Sequence, residues 1–258
     1  FFLDATTGYG YDSLRSYALS PFRIQERFAS AKEIARFRRF QKKYGKMWLL
    51  YNYLFADKSR YIEERQFNFD PDILKIRDDA YLDGYWQTEK YFSPIANAIR
   101  EEFTLKTPLG NRSASLRHEI EYSDQSVALN VRRADYVTNP STRAYHGVCG
   151  KEYYNKAVEI LAEKFPRLNL FIFSDDEVWV KENLRYPFPT KYISREPAKD
   201  HEDLHLMSLC RNNVTANSSF SWWSAWLNKN PQKVVIAPKR WVAISKLNTD
   251  DLIPSSWI

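Results

Sequence analysis

The chain has 258 residues, 44 % hydrophobic and 27 % charged, which is enough apolar material for one large domain or two modest ones with cores of their own. Its two cysteines, Cys149 and Cys210, exclude a disulfide framework and any CxxC metal spacing, and no apolar run reaches the roughly eighteen residues of a membrane-spanning helix. A formal charge of +6 and an aromatic content of 16 % favour a partner that is anionic or flat-faced, leaving nucleic acids, nucleotides, acidic membranes and sugars open.

The cysteine usage fits a reducing compartment. With no charged-then-apolar leader in view, a cytoplasmic location is expected, with peripheral contact at an inner membrane face compatible with the basic balance. The chain starts at "FFLD". In "KEIARFRRFQKKYGK" (32–46), Ile34, Phe37 and Phe40 recur at helical spacing while Lys and Arg fill the other faces, so a helix with a solvated basic side is expected. "LDGYW" (82–86) reads as a turn, and "KTPLGNRSAS" (106–115) as a connector. Residues 1–115 thus read as a lobe that is mostly helical or irregular, and 116–258 as a second domain.

From about Ser126 the pattern changes to short aliphatic or β-branched runs separated by helical stretches, the signature of a parallel sheet covered by helices. The runs are 127–131, 168–173, 191–193, 213–217 and 233–237. Between them, Tyr153, Ala157, Ile160, Leu161 and Phe165 form one helical stripe, and Leu206, Leu209 and Cys210 another, with Asp200 and Asp203 placed to cap and charge its start. After the fourth run, "SSFSWWSAWL" predicts a helix whose Trp222, Trp223, Trp226 and Leu227 make two adjoining apolar ridges for the core.

In an open α/β sheet, ligands bind beyond the carboxyl ends of the strands, and three of these ends are unusually polar. The first reads "NVRRADYV". By the two-residue period Asn130 and Arg132 share a face while Arg133 points away, with Asp135 close behind. Guanidinium is the side chain best shaped for phosphate, and paired arginines at a strand end are costly to bury without an anion. One of the two is expected to pair with Asp135 or another acid. The second end, Ser174, Asp175 and Asp176, opens a helix; one aspartate is expected to cap it and the other to stay free. That free carboxylate could accept hydrogen bonds from a guanine edge or a ribose, or hold a divalent cation, and spacing leaves these alternatives open. The third end carries Asn217, Ser218, Ser219, Phe220 and Ser221 at a helix start, where unpaired N–H groups and hydroxyls make an anion cradle. There is no GxSxG elbow, no Ser/His arrangement among His118, His146, His201 and His205, no GxxxxGK[ST] loop and no GxGxxG turn. A diphosphate would therefore be held by arginines and a helix start, as suits a nucleotide sugar.

These ends, in this order, resemble the α-1,2-fucosyltransferases of glycosyltransferase family 11, most closely the bacterial type. "VRRADYV" is similar to the family's HxRRxDYV. "YYNKAVEILAEKFP", "LFIFSDDEVWVKENL", "DLHLMSLCRNNVTANSSFSWWSAWLNKNPQKVVIAPKRW" and "DLIPSSWI" resemble its later blocks, and "YLDGYWQTEKYF" its first-lobe signature. The resemblance implies a GT-B-like architecture with a C-terminal Rossmann-like domain, GDP-β-L-fucose as donor, and the 2-hydroxyl of a galactose-type residue on a glycan as acceptor. It also implies inversion, no cofactor and no metal, and no nucleic-acid partner. On this reading Arg132 and Asp135 are the catalytic residues, Arg132 neutralising the β-phosphate as GDP departs; Asp175 or Asp176 reads guanine. Asn130, Arg133, Ser174 and the 217–221 turn add substrate contacts. Arg132→Ala is expected to abolish transfer and leave the fold intact, and Arg132→Lys to rescue little. The family's His is Asn130 here and its Gly is Ala134, and its Gly-rich opening block, similar to GGLGNQMFQYA, is not found. The first lobe, the expected acceptor side, is therefore expected to lack its first strand and helix.

Overall fold

The computed structural model describes residues 2–6, 17–37, 61–196 and 199–258. In the first part of the chain, α1 (Ala31–Phe37) buries Ile34 and starts the expected basic helix; residues 38–46 of that expectation lie outside the described residues. Two short strands, β1 (Tyr61–Glu63) and β2 (Tyr81–Asp83), pair in parallel, with Tyr61 stacked on Tyr81. Tight 3-10 turns at Pro71–Lys75 and Ser93–Ile95 carry a proline in their first two positions, one at Glu89–Tyr91 is capped by Thr88, and the turn at Ser93–Ile95 runs into α2 (Ala96–Glu102).

The expected connector at 106–115 is only half correct. α3 (Asn111–Tyr122) begins inside it, buries Ser113, Leu116 and Ile120 as one stripe, and packs on the sheet. Its start is capped from another helix: Glu202 accepts the Gly110 N–H at 3.2 Å and the Ser113 hydroxyl. A cap supplied from 89 residues away leaves no local signal.

The sheet then alternates with helices: β3 (Ser126–Val131), α4 (Ala134–Thr138), α5 (Pro140–His146), α6 (Lys151–Lys164), β4 (Asn169–Ser174), α7 (Glu177–Asn183), β5 (Thr190–Ser194), α8 (Asp200–Leu209), β6 (Asn212–Val214), α9 (Ser219–Leu227) and β7 (Val235–Ile236). All five strands are parallel, in the order β5-β4-β3-β6-β7. This is an α/β fold with helices on both faces, consistent with a GT-B-like, Rossmann-like architecture. The 213–217 and 233–237 runs prove longer than their strands.

The strand pleat sorts the two faces. Val127, Leu129, Val131, Leu170 and Ile172 point to α6 and α7, where they meet Tyr154, Ala157, Val158, Leu161 and Val180. Ala128, Phe171, Phe173 and Ile193 point the other way, onto α3 and α8. The α6 stripe is rotated from the expected one: Tyr154 and Val158 are buried, and Tyr153 and Ile160 flank them. Asp200 does not cap α8, whose N-cap Lys199 makes no side-chain cap bond; its carboxylate takes a two-pronged pair from Arg195 at 2.8 and 2.6 Å.

A third cluster fastens the first lobe to the sheet domain. Trp222, Trp226 and Leu227 of α9 meet Phe22, Trp241, Val242 and Leu252, with Phe92, Ala96, Ile99 and Phe103 packed against them. The tryptophans serve the core as expected. Lys233 closes the far end of α9, donating to the carbonyls of Ala225 at 2.7 Å and Asn228 at 2.8 Å, a favourable place for a cation at a helix C-terminus. Among the described residues no helix is long and apolar enough to cross a membrane.

Candidate active site

The order β5-β4-β3-β6-β7 means that the chain builds outward from β3 in one direction, then returns to start β6 on its other side. Loops leaving β3 and β6 therefore diverge, and the space above their carboxyl ends is the crevice in which such sheets bind ligands.

The register of β3 and β4 assembles the charged cluster at this edge. Val131 lies opposite Ser174, so one further residue sets Arg132 beside Asp175 and Arg133 beside Asp176. Arg132 Nη1 donates to Asp175 Oδ2 at 2.6 Å, and its Nη2 donates to Asp135. Asp175 Oδ1 accepts the backbone N–H groups of Arg133 and Ala134, at 2.8 and 3.2 Å, and so also caps the start of α4. Arg133 Nε donates to Asp176 Oδ2 at 3.0 Å, and its guanidinium lies 3.9 Å from the centre of the Trp179 ring. Asp176 Oδ1 caps α7 by accepting the Trp179 N–H at 3.1 Å, and Ser174 Oγ accepts the Asp176 N–H at 3.0 Å.

Two sequence expectations change here. Both arginines are paired, not one, and both aspartates are engaged within the turn, so neither is the free carboxylate that was expected. Each guanidinium carries five N–H donors, however, so these bonds fix the forks and leave donors over for a ligand.

A second set of contacts ties this cluster to the β6 side. The Tyr136 ring lies under Arg132 at 5.5 Å and stacks on His146, and its hydroxyl donates to the Asn217 carbonyl at 3.2 Å. Asn217 itself is buried and structural: its Nδ2 donates to the carbonyls of His146 at 2.8 Å and Trp241 at 3.2 Å. Ser221 is likewise buried, its Oγ accepting the Ala216 N–H at 2.9 Å. Ser218 is the N-cap of α9 and makes no side-chain cap bond, Ser219 is exposed, and Phe220 is half-buried between two core clusters. Of the predicted cradle, Ser218 and Ser219 are the hydroxyls within reach of solvent. Asn130 sits near the end of β3, buried on the face that Ala128 shares with α3 and α8.

The tip of β5 adds Arg195, which the sequence reading passed over, and gives Asp203, read there only as a helix-start charge, a second property. Arg195 follows the strand, donates its N–H to the Ser174 carbonyl at 3.2 Å and feels the Asp175 charge. Burial and the neighbouring Asp200 push the Asp203 carboxyl from its usual 3.8 up to about 7. The signal was present in "SREPAKDHED", a third charged strand end, but the run before it was too short to stand out. Because the folded chain holds the Asp203 proton across pH 4–7 while the unfolded chain has lost it, stability from this group falls as pH rises through that window. Asp203→Asn is expected to remove that fall: the unfolding free energies of variant and wild type should diverge in favour of the variant between about pH 4 and 7 and run parallel above it.

Among the described residues no three His, Cys, Asp or Glu side chains gather as a metal site. A cavity of about 700 Å³ lies elsewhere, at the start of β7 and the C-terminal end of α9, lined by Arg100, Glu101, Lys229, Lys233 and Trp257. The strand tips thus offer fixed guanidiniums beside an open helix start, an arrangement that can hold a leaving anion and stabilise charge as it grows.

Sequence comparison places the chain among known proteins. Over 180 residues the chain is 36 % identical to an "Alpha-1,2-colitosyltransferase" of Escherichia coli, covering 68 % of this chain and 60 % of that relative. Over 270 residues it is 30 % identical to the "O-antigen biosynthesis glycosyltransferase WbnK" of Escherichia coli, covering all of this chain and 87 % of the relative. With the model of "Glycosyl transferase family 11" matching residues 14–258, from the first lobe through every strand tip described above, the chain belongs to glycosyltransferase family 11.

Proposed function

We propose that the protein transfers L-fucose from GDP-β-L-fucose to the 2-hydroxyl of a galactose-type residue on a glycan, inverting the sugar carbon and using no metal. The observation that carries this reading is the pair of guanidiniums locked at the β3 tip by Asp175, Asp135 and Asp176, joined through Tyr136 and Asn217 to the open start of α9. Arg132 supplies fork-shaped donors to the departing diphosphate, and the N–H groups of α9 with Ser218 and Ser219 receive its other side. Leaving-group charge grows in the transition state, so donors already oriented toward it lower the barrier directly. Asp135, bonded to Arg132, holds the guanidinium in place. The first lobe serves the acceptor side, and the enzyme works in the cytoplasm, at or near a membrane face.

The name of one relative supports the α-1,2 linkage and at the same time favours a second donor, a colitosyl one. GDP-fucose and a colitosyl donor, each presented with lactose and related galactosides with and without a chelator, test both readings. Fucosyl transfer indifferent to chelator is expected. Transfer of colitose alone moves the donor assignment, and GDP binding by calorimetry without transfer of either sugar leaves a nucleotide-sugar-binding protein instead.

A further inference from the structure

Three buried side-chain polar atoms that lack a hydrogen-bond partner among the described residues belong to residues just beyond β1 and β2: Glu64 Oε1, Trp86 Nε1 and Gln87 Nε2. Buried polar groups are nearly always paired, so a concentration of unpaired ones calls for a ligand. Glu64 follows β1 and residues 84–87 follow β2, and these strands are parallel, so the three groups sit at carboxyl ends, as the arginines of the other sheet do.

The local backbone holds the groups together. The other Glu64 oxygen, Oε2, accepts the N–H groups of Tyr85 at 2.6 Å and Trp86 at 3.0 Å, which fastens the turn to β1. Gly84 is required there, because a Cβ would collide with Glu64 Cβ and would stand 2.8 Å from Oε2 and 3.2 Å from Trp86 Nε1. The carboxylate and the indole N–H are therefore neighbours around one glycine. Trp86 adopts φ +50°, an unfavourable region for a bulky side chain, and such strain persists where the surroundings fix it. Burial raises the Glu64 carboxyl above its ordinary value even though the Trp86 and Tyr85 N–H groups act to lower it.

This turn also lies near the helix that supports the charged strand tip. Glu64 and Tyr85 both act electrostatically on Tyr145 of α5, the neighbour of the His146 that stacks on Tyr136 beneath Arg132. Tyr85, exposed, offers a ring at the rim, and carbohydrate surfaces combine apolar C–H faces with hydroxyls that both donate and accept. An unpaired acceptor near an unpaired indole donor, with a second unpaired donor on the following residue and an exposed aromatic ring at Tyr85, matches a sugar better than an anion or a cation.

We propose that Glu64, Trp86 and Gln87 form the acceptor subsite, in which a sugar hydroxyl donates to Glu64 Oε1 and accepts from the Trp86 and Gln87 N–H groups. The inference rests on the transferase reading above but concerns the acceptor alone. The test compares Glu64→Gln and Trp86→Phe with wild type, using lactose as acceptor, KM for each substrate, saturation-transfer NMR for lactose binding, and calorimetry for GDP. Both variants should raise the lactose KM, Glu64→Gln by about ten- to a hundred-fold and Trp86→Phe by less, and leave GDP affinity within about two-fold. Trp86→Phe keeps the ring and the carboxylate, so it stays informative should Glu64→Gln fold poorly. Unchanged lactose KM and lactose NMR signal in the folded variants, or an equal loss of GDP affinity, would overturn the subsite. A wild type that binds lactose without transferring to it, and loses that binding in the variants, keeps the subsite and removes the transferase reading.

Discussion

Replacement of Arg132 by alanine is expected to lower transfer by at least one to two decades and also to lower stability by about 3–5 kcal/mol. The sequence alone suggested that the fold would tolerate the change; the structure does not. Arg132 is the cationic partner of two carboxylates whose side chains are only 5 % and 10 % exposed, Asp175 and Asp135, and its removal takes away the charge that balances both. For a chain of this size the melting temperature should fall on the order of 10 °C. The catalytic share is separate: one lost charge-assisted contact costs roughly 1.5–3 kcal/mol, about one to two decades in rate. The double variant Arg132→Ala/Asp175→Asn divides the two, because neutralising Asp175 relieves the stranded charge and should recover part of the melting temperature without recovering transfer. An Arg132→Ala protein that melts and turns over like wild type would contradict both roles.

The second large effect is expected at Trp222. Its side chain is fully buried, its indole N–H donates to the Leu252 carbonyl at 2.8 Å, and its ring lies against Trp226, Trp223 and Phe92 with centroids 6.3, 5.2 and 6.2 Å away. Trp222→Ala leaves a cavity of indole size and one carbonyl unpaired, for a cost of about 3–5 kcal/mol. Denaturant titration should show a lower midpoint with little change in slope. Phe92 belongs to the first lobe and α9 to the sheet domain, so the same change should loosen their union and reduce transfer indirectly. Trp223→Ala, at a half-buried position stacked on Phe92 and Phe103, should cost less.

The sheet and its helices were legible because buried parallel strands and amphipathic helices repeat with fixed periods, and the tryptophan ridge of α9 could be read as core for the same reason. The charged strand tips were legible as polar ends of apolar runs. Their pairing was not: Arg132 and Asp175 stand 43 residues apart, and only the ladder opposing Val131 and Ser174 brings them together. The strand β6 stops at Val214: Thr215 still donates its N–H to the Ile236 carbonyl at 2.9 Å, but the next N–H, that of Ala216, is captured by Ser221 of α9. A hydroxyl that looks like a ligand donor in sequence can thus be spent on the backbone. The start of α3 reads as part of a connector because its cap comes from Glu202, and the Glu64 turn has no periodic pattern at all, only a glycine whose need shows once its neighbours are placed.

The cluster at the β3 tip binds two guanidiniums to three carboxylates, so it carries no surplus of positive charge to draw in any passing anion. A phosphate oxygen arriving there finds donors still open on each fork but also meets the repulsion of the carboxylates already seated. Inorganic phosphate or sulfate gains little from such a contest, whereas a molecule that is also gripped through its base or sugar can win it. On the proposed reading, the acids around the arginines would thereby act as a filter against small anions.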